Sequence, residues 1–167
     1  AIIDNVISSN PSQNMAENAD GVVSSVGMEV SLTQRIKERF YWFANATYTN
    51  SRIENPDDPD KNGIDVPFVP QIMGNIGLTL NVPYRIVVSP MVRFGGKFYD
   101  NDNKLSRKSF VTGEVININI SKEFLFAQDK SLKLYAKLYN LTNNKFKMPW
   151  EFRDPGFQFT SGLRLIL

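Results

Sequence analysis

A period of two runs through most of this chain and restricts its fold more than any other feature. Phe40, Trp42, Ala44, Ala46 and Tyr48 form an apolar even set, with Asn45, Thr47 and Thr49 between them. Ile72, Ile76, Leu78, Leu80 and Val82 alternate with Asn75, Gly77, Thr79 and Asn81. Ile116, Ile118 and Ile120 alternate with Asn117, Asn119 and Ser121, and Leu132, Leu134, Ala136 and Leu138 with Lys133, Tyr135, Lys137 and Tyr139. Successive side chains of a strand point to opposite faces, so each window specifies a strand with one apolar and one polar face. A helical period fits these windows less well. About eight strands are predicted, over 1–9, 19–33, 38–52, 66–82, 85–99, 109–126, 131–146 and 156–167.

The connections alternate in length. Gln34 to Lys37, Pro83-Tyr84 and Gln128 to Lys130 are short. Asn10 to Asn18, Ile53 to Asp65, Asp100 to Lys108 and Lys147 to Pro155 are longer and rich in Pro, Asp and Asn, which favour turns. Short turns at one end and long loops at the other is the layout of an antiparallel, up-and-down outer-membrane β-barrel. Pro70 and Pro90 fall inside predicted strands, where each removes a ladder donor, and are expected at bulges or beyond the membrane.

Alternation alone does not say whether the apolar face meets a core or lipid, since a soluble lipocalin-type barrel alternates too. The predicted strands are long enough to cross a bilayer, for which about 9 to 11 residues suffice. Aromatics gather near strand ends. Phe40, Trp42, Phe124 and Phe126 mark the short-turn end, and Tyr48, Phe94, Phe98, Phe110 and Phe157 the long-loop end. This resembles the two aromatic girdles of a membrane barrel. The polar face is small and mostly uncharged (Ser25, Gly27, Ser31, Asn45, Thr47, Ser89, Gly95, Asn117), unlike the Lys- and Glu-rich exterior of a soluble barrel. The expected fold is therefore all-β, a transmembrane barrel wall in which each strand must be paired on both sides.

Composition narrows the chemistry. Nineteen Lys and Arg against 17 Asp and Glu give a net charge of +2, no electrostatic footprint of a nucleic-acid binder. Without Cys or His there are no disulfides, thiolate or imidazole metal sites, or His-based triads. No catalytic constellation is present, so an enzyme is not expected. Ala1 to Ile7 lacks the basic start and apolar stretch of a secretory leader.

Several stretches, in order, resemble the C-terminal part of a TonB-dependent outer-membrane receptor. They are Asn18-Ala19-Asp20 followed by Ser25-Val26-Gly27-Met28-Glu29-Val30, then Ala46-Thr47-Tyr48-Thr49-Asn50-Ser51-Arg52, and Val66-Pro67-Phe68-Val69-Pro70. Tyr139-Asn140-Leu141-Thr142-Asn143-Asn144-Lys145-Phe146, Asp154-Pro155-Gly156 and Phe159-Thr160-Ser161-Gly162-Leu163-Arg164 complete the series. The family commonly ends in an aromatic residue, where this chain has Leu167. The resemblance implies a barrel of about 22 strands around an N-terminal plug. It implies import of scarce nutrients such as ferric chelates, with energy from an inner-membrane partner. Residues 1–167 would then be a C-terminal barrel segment of about eight strands, with plug and signal peptide lying upstream. The competing expectation is a complete small eight-stranded outer-membrane protein with a structural or adhesive role. An isolated segment is expected to close on itself or to oligomerise, because its terminal strands are open edges.

Candidate site residues come from the loops and the polar face. Asp58, Asp60 and Asn62 match the first half of a calcium loop, but Val69 stands where the distal Glu belongs, so a solvated loop is the simpler reading and no cofactor is expected. The polar face carries Arg93, Lys97, Lys133, Lys137 and Arg164, against Glu29 as its one carboxylate. Such cations can be solvated, pair with a plug or draw anionic ligands inward. Asp57, Asp58 and Asp60 are their expected counter-charges if the chain closes on itself. Lys97, together with Trp150, Phe152 and Arg153 of the last long loop, is the candidate ligand set. Phe159, Leu163, Leu165 and Leu167 resemble the closing-strand signal read by the barrel-assembly machinery.

Overall fold

A computed structural model of the chain describes residues 2–4, 7–10, 15–18, 21–127, 130–152 and 154–166. In chain order the strands are β1 (Ile2–Asp4), β2 (Ile7–Asn10), β3 (Met15–Asn18), β4 (Val22–Ile36), β5 (Phe40–Glu54) and β6 (Ile64–Asp65). They continue with β7 (Ile72–Val82), β8 (Ile86–Tyr99), β9 (Ser109–Ala127), β10 (Lys130–Tyr139) and β11 (Gln158–Ile166). Among the described residues there is no α-helix, only a 3-10 turn at Pro149–Glu151. The main sheet runs in the order β1-β4-β5-β7-β8-β9-β10-β11, with β6 added to β5, while β2 and β3 form a separate hairpin. The chain is thus all-β and up-and-down, as its period implies.

The boundaries differ from expectation where backbone chemistry outweighs pattern. The strand expected over 66–82 starts at Ile72, because Pro67 and Pro70 lack donors and Phe68 takes a left-handed φ of 61°. The strand expected over 131–146 stops at Tyr139, because Asn140 turns left-handed at φ 52°. The first strand is divided: Ile2–Asp4 pairs with β4, and Ile7–Asn10 pairs with Met15–Asn18 inside a segment expected to be loop. Pro90 lies within β8, yet the β7–β8 register is the same on either side of it, Gly77↔Met91 and Leu80↔Val88. No bulge forms between these two strands there. The ladder skips two pairs, and the Thr79 and Ser89 hydroxyls meet across the gap at 3.0 Å.

Register fixes the faces. Ile76↔Val92, Leu80↔Val88 and Val82↔Ile86 line up on one side of β7–β8, and Asn75↔Arg93 and Gly77↔Met91 on the other. On β10 the apolar side matches Leu132 with Phe124 and Leu165, Leu134 with Leu163, and Leu138 with Ile118 and Phe159. A one-residue slip would invert every one of these matches. None of these apolar side chains is buried. Ile64 and Val115 are the buried hydrophobics among the described residues, whereas Val26 is 74% exposed, Met28 65%, Ile76 55% and Leu163 69%. A water-soluble sheet buries such a face. Chain closure is not met: among the described residues β1 and β11 do not pair, and the ladder ends at each.

The described residues divide into two compact units. One comprises Ala1–Glu29, Thr47–Ile72 and Gly96–Thr112, and the other Val30–Ala46, Met73–Gly95 and Gly113–Leu167. In the second unit the short turns are held by side chains. Asn81 donates its backbone N–H to Arg39 and its Nδ2 to Glu38 O, both at 2.8 Å, clasping the β4–β5 turn. Asn75 Nδ2 donates to Asn45 Oδ1 at 3.0 Å on the polar face. Phe43 also lies on that face, tilted against Tyr41 with ring centroids 6.3 Å apart. Gly77 leaves the room for it, since a Cβ there would stand 2.6 Å from the Phe43 ring.

Candidate functional site

The first unit carries two polar loops joined to each other. Asn62 Oδ1 accepts from Asn55 N at 3.1 Å, and Asp58 Oδ1 accepts from Asp60 N at 3.0 Å. Lys104 spans the loops, its N–H reaching Asp60 O at 2.9 Å and its Nζ Pro59 O at 2.8 Å, while Lys61 stands 3.7 Å from Asp102. The Asp58 and Asn62 side chains therefore accept from the backbone of their own loop. Among the described residues no group of three acidic side chains converges as a metal site would require.

Tyr99 is the centre of a second cluster in the same unit. Arg107 lies 4.0 Å and Lys97 4.8 Å from its ring centroid, both within cation–π range. Arg107 also approaches Asp65 at 4.0 Å, and its buried Nη1 has no hydrogen-bond partner among the described residues. On the apolar side, Phe98 stacks on Phe110 at 5.8 Å and tilts against Phe68 at 6.3 Å, part of the aromatic band expected near the long loops.

The second unit holds an open polar concavity. It measures about 440 Å³ and is lined by Ser89, Asn119, Ser121, Lys133, Tyr135, Lys137 and Arg164, with apolar neighbours along its edge. Alternation places Lys133, Tyr135 and Lys137 on the polar face of β10, and the register sets Arg164 directly opposite Lys133 and Gly162 opposite Tyr135. Tyr135 leans over Gly162, where any Cβ would strike its hydroxyl. Lys133, Lys137 and Arg164 form no ion pair among the described residues. The count of carboxylates on this face needs correction. Lys133 also faces Glu123 in the β9–β10 register, so Glu29 is not alone. Glu123 is already engaged, accepting from Ser131 Oγ at 2.8 Å and standing 3.8 Å from the Arg85 guanidinium. The odd parity of Glu123 with Asn119 and Ser121 was the signal for it.

Of the other candidates, Trp150 and Phe152 lie together at the 3-10 turn in the second unit, 73% and 68% exposed. Lys97 belongs to the first unit, and Arg153 and Leu167 lie outside the described residues. Phe159, Leu163 and Leu165 project from β11 on its apolar side and are exposed. The Asn140 stretch proves structural. Asn140 is fully buried, donates Nδ2 to Asn144 O at 2.7 Å and accepts at Oδ1 from Asn144 N at 3.1 Å. Its own N–H donates to Asn117 Oδ1 at 3.0 Å, and Asn143 Oδ1 accepts from Phe157 N at 3.0 Å. These bonds fasten the start and end of the last long loop.

Comparison with known proteins agrees with this architecture. The family described as TonB dependent receptor-like, beta-barrel, matches residues 2–141. No curated protein matches. Among solved structures, the siderophore receptor PiuA from Acinetobacter baumannii is 16% identical with a TM-score of 0.60, over 97% of this chain and 24% of that one. The ferric-catecholate import receptor Fiu from E. coli K12, in a closed form, is 16% identical with a TM-score of 0.63, over 99% of this chain and 23% of that one. At such identity the two likenesses show the fold, and the chain spans about a quarter of either receptor's length. By the family match over most of its length, the chain belongs to the β-barrel family of TonB-dependent receptors.

Proposed function

We propose that residues 1–167 build part of the barrel wall, with several outer loops, of an outer-membrane receptor that takes up a scarce nutrient such as a ferric chelate. The observation that carries this is the two-faced sheet. Val26, Met28, Ile76 and Leu163 form an uncovered apolar side suited to lipid, and the opposite side is small, polar and cationic, suited to a hydrated lumen. The names of PiuA and Fiu, a siderophore receptor and a ferric-catecholate importer, support the ligand class.

In this reading the apolar face meets membrane lipid, and the free edges of β1 and β11 pair with further barrel strands. A plug domain and the contact with the inner-membrane energy-coupling protein come from outside residues 1–167. Lys97, Trp150, Phe152 and Arg153 are the ligand-side residues, and Phe159, Leu163, Leu165 and Leu167 the strand read by the assembly machinery. A complete eight-stranded barrel would need β1 to pair with β11, and the ladder of the described residues offers no such pair.

The test is deletion of the full-length gene followed by growth under iron limitation on a panel of ferric chelates, with fractionation of the protein. Loss of growth on one chelate, restored by the gene, together with recovery in the outer membrane is expected. Recovery in the soluble fraction without detergent would overturn the reading.

A further inference from the structure

We propose that Lys122, on the apolar side of β9, binds the headgroup phosphate of an anionic phospholipid in the membrane leaflet that surrounds the short turns. This rests on the proposed receptor reading only in taking the apolar side to face lipid.

Lys122 interrupts an otherwise apolar row. Ile116, Ile118, Ile120, Phe124 and Phe126 hold the neighbouring even positions of β9. The register sets Lys122 opposite Leu134, between the pairs Ile120↔Ala136 and Phe124↔Leu132, and Leu134 in turn opposite Leu163. Cross-strand partners share a face, so the Lys122 stem lies among apolar side chains, on the side where Phe124 is 41% and Leu163 69% exposed. Lys122 has no ion-pair partner among the described residues. Glu123 points to the opposite face and is engaged by Arg85 and Ser131. A cation without a counter-ion on such a face draws an anion from its surroundings.

The height of Lys122 on the sheet and the direction of its side chain select that anion. Glu123 donates its N–H to Arg85 O at 3.1 Å, which sets Lys122 level with the β7–β8 turn, whose last pair is Val82↔Ile86. Beyond that level β9 runs on to Ala127, with Phe124 and Phe126 exposed. The Lys122 ammonium lies 4.8 Å from the centroid of the Phe124 ring, two residues nearer the hairpin end. The side chain thus reaches toward the short-turn interface, as a snorkelling lysine does. An aromatic band of this kind marks the level of the lipid headgroups, so the anion within reach is a lipid phosphate. Ile120, Phe124, Leu134 and Leu163 around Lys122 offer no carboxylate to hold the ammonium of an ethanolamine headgroup. The site therefore favours phosphatidylglycerol over the zwitterionic lipid, by roughly the fivefold that one lysine supplies near an anionic surface.

The experiment uses the full-length protein in bilayers of phosphatidylethanolamine. These carry a small fraction of a lipid with a photoactivatable group beside its glycerol, either phosphatidylglycerol or phosphatidylethanolamine. Mass spectrometry of the digest after irradiation reads the adducts on residues 120–127. Phosphatidylglycerol should label this stretch roughly fivefold more than phosphatidylethanolamine. Lys122→Gln should remove the difference, whereas Lys122→Arg and Lys133→Gln, the latter on the opposite face, should keep it. Heat-modifiable migration on gels checks that each variant is folded before labelling. Equal labelling by the two lipids in the wild type, or a preference that survives Lys122→Gln, overturns the proposal and leaves the apolar side in lipid. The proposal also fails if millimolar phosphate at constant ionic strength removes the preference, because a free oxyanion would then be the occupant. Labelling by neither lipid overturns both the proposal and the placing of this side against the membrane.

Discussion

Replacement of Asn140 should loosen the last long loop by a graded and calculable amount. The Asn140 side chain makes two good hydrogen bonds to the Asn144 backbone, at 2.7 and 3.1 Å, and a long one of 3.4 Å from the Thr142 hydroxyl. Each good bond contributes about 1 kcal/mol net, so Asn140→Gly, which accepts φ 52° without strain, should cost about 2 kcal/mol of local stability. Asn140→Ala loses the same bonds and adds the left-handed penalty of about 1 kcal/mol, for about 3 kcal/mol in all. The assay is amide hydrogen exchange on the peptide spanning residues 141–149 in the full-length protein in detergent. With about 1.4 kcal/mol per factor of ten, exchange should quicken roughly 30-fold for the Gly variant and 150-fold for the Ala variant. Equal rates for the two variants would refute the backbone part of the reasoning. Wild-type rates in both would refute the hydrogen-bond part, and would mean that the Leu141 N–H bond to Ile116 O, at 2.8 Å, holds the loop by itself.

Adjacent positions on β4 test the faces: Val30→Lys should lower the yield of folded protein in the outer membrane, at a cost of about 2 to 4 kcal/mol if it sits near the bilayer centre, while Ser31→Lys should leave the yield near wild type. Equal yields, measured by heat-modifiable migration on gels, would contradict the face assignment. Gly77→Val should cost about 1 to 3 kcal/mol by displacing the Phe43 ring, and Phe43→Ala in the same chain should recover part of that loss in a double-mutant cycle. An additive pair would show that the ring does not depend on the glycine. Glu123→Gln should release Arg85 and weaken the β7–β8 turn, read as faster exchange of the Glu123 amide that donates to Arg85 O at 3.1 Å. Unchanged exchange there would show that the backbone bond alone fixes the turn.

The strands were legible because a sheet with unlike faces must alternate, and a slip of one residue would turn its apolar set into the lumen. Ile76 with Val92, Leu80 with Val88 and Leu132 with Phe124 and Leu165 show this directly, while Lys122 opposite Leu134 departs from it. What remained hidden depends on contacts far apart in sequence. The Asn140 stretch carries a family resemblance, but that its side chain clasps Asn144 and its N–H is held by Asn117, 23 residues away, is not written in the pattern. Tyr41 and Phe43 escaped notice because both faces of β5 are aromatic at that end, which masks the period. Lys133 and Lys137 were assigned to one face by parity, but their meeting with Arg164 requires the β10–β11 register, set across a loop whose length the pattern does not constrain.

The same logic bears on the two expected outcomes for an isolated segment, closure on itself or oligomerisation, of which closure is not met among the described residues. Counting about eight strands made a self-closed barrel look feasible, since eight is enough for side chains to fill the interior. Closure, however, needs edges of matching length. β11 pairs with β10 over the nine residues Gln158–Ile166 and leaves its other edge free among the described residues, whereas β1 offers only Ile2–Asp4. Three residues cannot satisfy nine in a setting where every unpaired N–H and C=O costs several kcal/mol. Among the described residues the sheet is therefore not closed, and the proposed receptor reading assigns the free edge of β11 to further barrel strands.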